Sequence, residues 1–184
     1  MVLPLFDDNS DRVRTPYVNY VLIAMNVFVF VVLQGLGAIE KFTVQFATVP
    51  AKIWTGKDFS VPPQVVEEPI TKKPIEMPGI PETPVPVYFT LVTSMFLHGG
   101  IMHLLGNMLF LWIFGDNVED ALGKGRYLVF YLLTGVLASM AHVATTYATH
   151  MDPDMPSLGA SGAISGVLGG YLILFPRKRV TVLL

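Results

Sequence analysis

The stretch Phe89–Gly115, FTLVTSMFLHGGIMHLLGNMLFLWIFG, runs for 27 residues without an Asp, Glu, Lys or Arg. A bilayer core about 30 Å thick is crossed by roughly 20 apolar residues in helical form, so this stretch is long enough for one span. Gly99–Gly100 makes a turn inside it, which predicts a helix over about 100–115. Three other stretches are equally free of charge: 17–39, 127–151 and 155–176, of 23, 25 and 22 residues. They predict further spans at about 17–37, 127–147 and 161–176. The fold class that follows is all-α: a polytopic membrane bundle with four transmembrane helices, occupying 17–184 after a polar tail, 1–16.

Composition agrees with a chain made for lipid. Hydrophobic residues are 52% of the 184 and charged residues 14%, and mean hydropathy is +0.55. Soluble domains carry about a quarter charged residues, and disordered chains lack the apolar surface found here. A net charge of -2 provides no basic face for nucleic acid. Cysteine is absent, which removes disulfides, thiolate metal sites and a thiolate nucleophile.

The first span, from Tyr17, is longer than the roughly 7–15 residues of a signal-peptide core and reads as a retained anchor. A connector, 40–88, follows it. Its piece from Phe42 to Trp54 reads weakly as interfacial. Within Val61–Pro86, eight of 26 residues are proline, which predicts extended polyproline-like chain. The turn Asp116–Arg126, with Gly123 and Gly125, is expected to break the second helix from the third. Basic residues sit in the tail, in that turn and after Pro176, whereas the short loop 148–157 has none. The positive-inside rule then places both termini and the 116–126 turn in the cytoplasm, with the Pro-rich connector outside.

Polar groups inside a bilayer are costly and tend to be functional. Those that stand out are His98, His103, Asn107, Ser139, His142, Ser161 and Ser165. His103 and Asn107 lie four apart, on one helix face, where two donors can reach one oxygen. For such a pair taken alone, interhelical hydrogen bonding is the commoner explanation. Ser161, within Gly159-Ala160-Ser161-Gly162, opens the last helix, where free backbone N–H groups and a partial positive charge suit an oxyanion. Gly162, Gly166 and Gly170 recur every four residues, as do Ser165 and Gly169, a pattern for close helix packing. Both candidate features fall toward the outer side. A serine with oxyanion donors at one depth is an arrangement suited to hydrolysis inside the bilayer.

Taken in order, five segments resemble the rhomboid family of intramembrane serine proteases. They are Phe96-Leu97-His98-Gly99-Gly100, His103-Leu104-Leu105-Gly106-Asn107, Phe114-Gly115-Asp116-Asn117-Val118-Glu119-Asp120, Gly125-Arg126-Tyr127 and Gly159-Ala160-Ser161-Gly162-Ala163. HxxxN and GxSG together, on successive apolar helices, are far more specific than either alone. The resemblance implies a rhomboid-like bundle of six helices, of which four are present. It implies Ser161 as nucleophile and His103 and Asn107, with the Ser161 amide, as the oxyanion hole. His98 and Glu119 match structural positions, and Gly162, Gly166 and Gly170 read as structural too. Transmembrane proteins would be the substrates, the bilayer the medium, and a bacterial inner membrane the location.

A serine needs a general base. In the family that base is a histidine of the sixth helix, and no matching motif occurs before Leu184. The expectation is therefore a chain inactive alone, its base outside these residues; His142 and His150 are the alternatives within it. No cofactor or metal is expected. A zinc protease needs HExxH and an aspartyl protease two Asp within helices, and neither pattern occurs here. A transporter is disfavoured because no charged residue lies in a span. The competing reading from another class is a non-catalytic rhomboid-like protein that binds membrane clients.

Overall fold

A computed structural model of the chain describes residues 3–8, 10, 12–67, 74–77 and 79–183. The charge-free stretches fold as helices, the form in which an apolar segment satisfies its own backbone groups in lipid. In chain order the elements are β1 (Leu3–Asp7), α1 (Tyr17–Phe28, prolonged by a π-helical turn, Val29–Leu33), α2 (Glu40–Phe46) and α3 (Pro50–Thr55). β2 (Gln64–Glu67) and β3 (Pro74–Met77) follow, then a short helical segment Val87–Phe96 containing α4 (Thr90–Thr93). The chain ends in α5 (Ile101–Leu122), α6 (Lys124–Ala148), α7 (Ser161–Leu174) and β4 (Val180–Leu183).

Two of these helices, α5 and α6, are long and apolar enough to cross a membrane, whereas α1 with its π turn and α7 are apolar but shorter. The core lies where α5, α6 and α7 meet: Leu104, Leu111, Val118, Tyr127, Tyr131, Ala163, Val167 and Tyr171 are buried together. α7 packs tightly on α6 through glycine. A Cβ at Gly162 would come within 2.6 Å of Ala138 Cβ, one at Gly166 would strike Thr134, and one at Gly170 would crowd Phe130 at 3.2 Å. A Cβ at Gly169 would meet open space.

Three expectations are corrected. The helix from Ile101 does not stop at Asp116; it runs to Leu122 and breaks only at Gly123, which has φ +78. Its charges are taken up locally. Arg12 pairs with Asp116 at 2.6 Å, Asp120 accepts the Val13 and Arg14 amides, and Glu119 accepts those of Val18 and Asn19 at 3.1 and 2.7 Å. The last pair closes the amino end of α1, whose first N–H groups have no intrahelical partner.

The fold is mostly helical, with two short antiparallel ribbons added to the helices. β1 pairs antiparallel with β4, so the tail 1–16 is not simply a polar extension. In the Pro-rich stretch, β2 and β3 form a second antiparallel ribbon in place of polyproline chain. Pro74 is tolerated because it begins its strand and a two-stranded ribbon consists only of edges. Pro69 and Pro78 lie outside the described residues.

The ribbon β1–β4, Arg12 and the end of α5 gather at one end of the bundle. There Asp7 accepts hydrogen bonds from Tyr171 (2.9 Å) and Asn117 (2.7 Å), and Lys178 donates to Asn117 at 2.6 Å. The three basic segments of the sequence therefore share one end. The loop before α7 lies at the other, held by a bridge between Thr48 and Ser157.

Candidate functional site

Ser161 is the first residue of α7, with an exposed side chain. The chain reaches it through Gly159, at φ +128, a conformation that side-chain-bearing residues rarely adopt. A Cβ placed on Gly159 would lie 2.9 Å from His103 Cε1, 3.0 Å from His103 Nε2 and 3.5 Å from Ser161 Oγ. Imidazole and hydroxyl thus converge on the space that the absent side chain leaves. The Gly159 amide donates to the Ser94 carbonyl at 2.9 Å, which pins the loop to the segment before α5.

His103 stands in the first turn of α5, where Gly99–Gly100 let the chain enter the helix. Its Nδ1 accepts the Gly99 N–H at 3.4 Å. A neutral ring accepting at Nδ1 carries its proton on Nε2, the atom turned to Gly159 and Ser161. Asn107, one turn further along the same face, is 8% exposed, and its Nδ2 has no hydrogen-bond partner among the described residues. A buried donor left unmade costs about 1–3 kcal/mol, so an acceptor oxygen placed beside it would be favoured.

A cavity of about 190 Å³ opens beside Ser161, walled by Ser94, Gly135, Ser139, His142, Ser157 and Gly159 among others. Of the two further histidines considered from sequence, His142 lines it. His150 sits in the turn after α6 at φ +55 and does not line it. Ser165 is exposed on α7, one turn beyond Ser161. His98 is buried, its ring edge-on to those of Phe30 and His103 at 6.4 and 5.2 Å. Burial lowers its pKa to about 4, so it is neutral at physiological pH.

Sequence reasoning misses several contributors. Asn19, Asn26 and Gln34 are fully buried polar side chains in the first charge-free stretch. Their separations of seven and eight residues, about two helical turns each, are a readable signal of an inward polar stripe. Thr48 is also missed. Its hydroxyl lies 3.0 Å from the Thr90 carbonyl and 2.9 Å from Ser94 Oγ, linking the connector to the wall of the cavity.

The Rhomboid domain family model matches residues 86–183, just over half of the chain. Among similar proteins, Rhomboid protease GluP of Bacillus subtilis is 44% identical over 94 residues. Rhomboid protein 1, mitochondrial, of Saccharomyces cerevisiae is 34% identical over 91, and human presenilin-associated rhomboid-like protein, mitochondrial, 32% over 93. Each match covers 50% of this chain and 17%, 26% and 24% of the respective relative. The chain thus spans well under half the length of these proteins.

Proposed function

The chain belongs to the rhomboid family of membrane proteins, and from that premise we propose that it carries the nucleophile and oxyanion hole of a serine endopeptidase that cleaves transmembrane proteins within the bilayer. The observation that carries this reading is the convergence of His103 Nε2 and Ser161 Oγ on Gly159. Ser161 Oγ attacks the scissile carbonyl as the general base takes its proton; that proton passes to the departing amine as the C–N bond breaks, leaving an acyl-enzyme that water then hydrolyses. The oxyanion of each tetrahedral intermediate receives the Nε2–H of His103, the amide of Asn107 and the N–H groups at the start of α7.

The length of α7 supports a buried site. Its 14 residues extend about 21 Å at 1.5 Å per residue, less than a bilayer core of about 30 Å. A helix of that length, with its far end at the ribbon β1–β4, starts below the outer surface. The cytoplasmic assignment of both termini rests on the basic segments that share the ribbon end. Relatives from a bacterium and from mitochondria fit a membrane location of either kind.

The general base comes from outside residues 1–184, as the family pattern implies. A second reading is favoured by one observation: His142 shares the cavity wall with Ser161. Labelling of Ser161 by a fluorophosphonate in the purified 184-residue chain separates the two. Little labelling supports an external base; robust labelling that His142→Ala abolishes assigns the role to His142. Labelling that survives Ser161→Ala contradicts Ser161 as the nucleophile.

A further inference from the structure

We propose that Gln34 is a positioning residue for His103, setting the tautomer and orientation of its ring through one peptide group. The inference rests on His103 acting as an oxyanion donor.

Gln34 is fully buried although it lies at the end of an apolar helix. It continues the inward stripe Leu22, Asn26 and Phe30, each four residues apart and each buried. A four-residue spacing overruns the 3.6-residue turn, so a straight α-helix would rotate the stripe away from the core. The π turn Val29–Leu33, closed by the Gln34 N–H on the Val29 carbonyl at 2.9 Å, is wider and takes that rotation back. An irregular turn thereby delivers a polar side chain inside the bundle.

Its carboxamide is fully used there. Oε1 accepts the His98 N–H at 2.9 Å, and Nε2 donates to the His98 carbonyl at 3.0 Å and to Thr43 Oγ1 at 2.9 Å. The side chain therefore grips the His98 backbone at both of its polar groups. The His98 carbonyl belongs to the same planar peptide as the Gly99 N–H. That N–H donates to His103 Nδ1 at 3.4 Å. One rigid amide is held at its oxygen by Gln34 and holds His103 at its nitrogen. Donation to the carbonyl also polarises the N–H and strengthens its bond to the ring. The consequence at the site is the Nε2–H tautomer, the form in which His103 faces Gly159 and Ser161 with a donor.

The test is 15N NMR of histidine-labelled protein in lipid vesicles, with the His103 signal identified by its loss in His103→Gln. Wild type is expected to show the Nε2–H tautomer. Gln34→Met, which keeps the length and removes the hydrogen bonds, is expected to shift His103 toward a mixture of tautomers. In the full-length protein it should lower kcat on the order of ten- to a hundredfold with KM unchanged. Gln34→Glu keeps the volume and the acceptor for the His98 amide, so it serves where Gln34→Met does not fold, and its ionised form should move the signal in the same direction. An unchanged His103 spectrum in a folded variant overturns the proposal whatever happens to activity. A shifted spectrum in a protein whose wild type shows no Ser161-dependent proteolysis upholds the positioning and overturns the proteolytic reading instead.

Discussion

The His103 imidazole and the Ser161 hydroxyl face the same point, the position a Gly159 side chain would occupy, at 2.9 and 3.5 Å. They come from helices 58 positions apart in sequence, and the residue between them works by having no side chain. Gly159→Ala would push its methyl into the ring and force a substituted residue to φ +128. The expected stability cost is roughly 1–3 kcal/mol. Displacing His103 should lower kcat in the full-length protein about a hundredfold. Thermal unfolding and substrate turnover measure the two separately.

Glu119 serves structure. Its carboxylate, 2% exposed, accepts two amides at the start of α1. Glu119→Ala leaves both donors unmade at about 1–3 kcal/mol each. The expected result is a clear fall in the midpoint of detergent-induced unfolding, with Glu119→Gln, which keeps one acceptor, losing less.

The pKa of His98, lowered to about 4, gives stability a pH dependence of defined sign. The unfolded chain takes up a proton near the ordinary histidine value of about 6.5, and the folded chain resists until about 4. His98 therefore contributes stability that is complete above the ordinary value and is lost as pH falls through that window. Unfolding midpoints at successive pH values should decline between these limits in wild type, and His98→Gln should flatten that component.

Two glycines of α7 make an opposed pair. Gly166→Ala drives a methyl into Thr134 on α6, with an expected cost of about 1–3 kcal/mol. Gly169→Ala meets open space in the 184-residue chain and should be neutral or stabilising by up to about 1 kcal/mol, since alanine favours helix over glycine. Unfolding of the two variants side by side checks the pair.

Absence of charge made the long helices legible, and Gly99–Gly100 and Ser161 marked where two of them begin. The candidate site was legible as residue types, His103, Asn107 and Ser161, because costly polar groups stand out in an apolar run. What remained hidden depends on partners distant in sequence. Asp116–Leu122 reads as a turn until Arg12 and the start of α1 are seen to absorb its charges. Pro74 reads as a strand breaker until it is seen at the first position of an edge. Gln34 reads as the polar end of a span until the His98 peptide is found against it.

Cleavage of a single-span substrate in lipid vesicles by the full-length protein tests the central claim most directly. With Ser161→Ala, turnover should fall by on the order of a thousandfold or more, as when a serine nucleophile is removed. A Ser161→Ala protein that cuts the same bond at the wild-type rate would contradict the account.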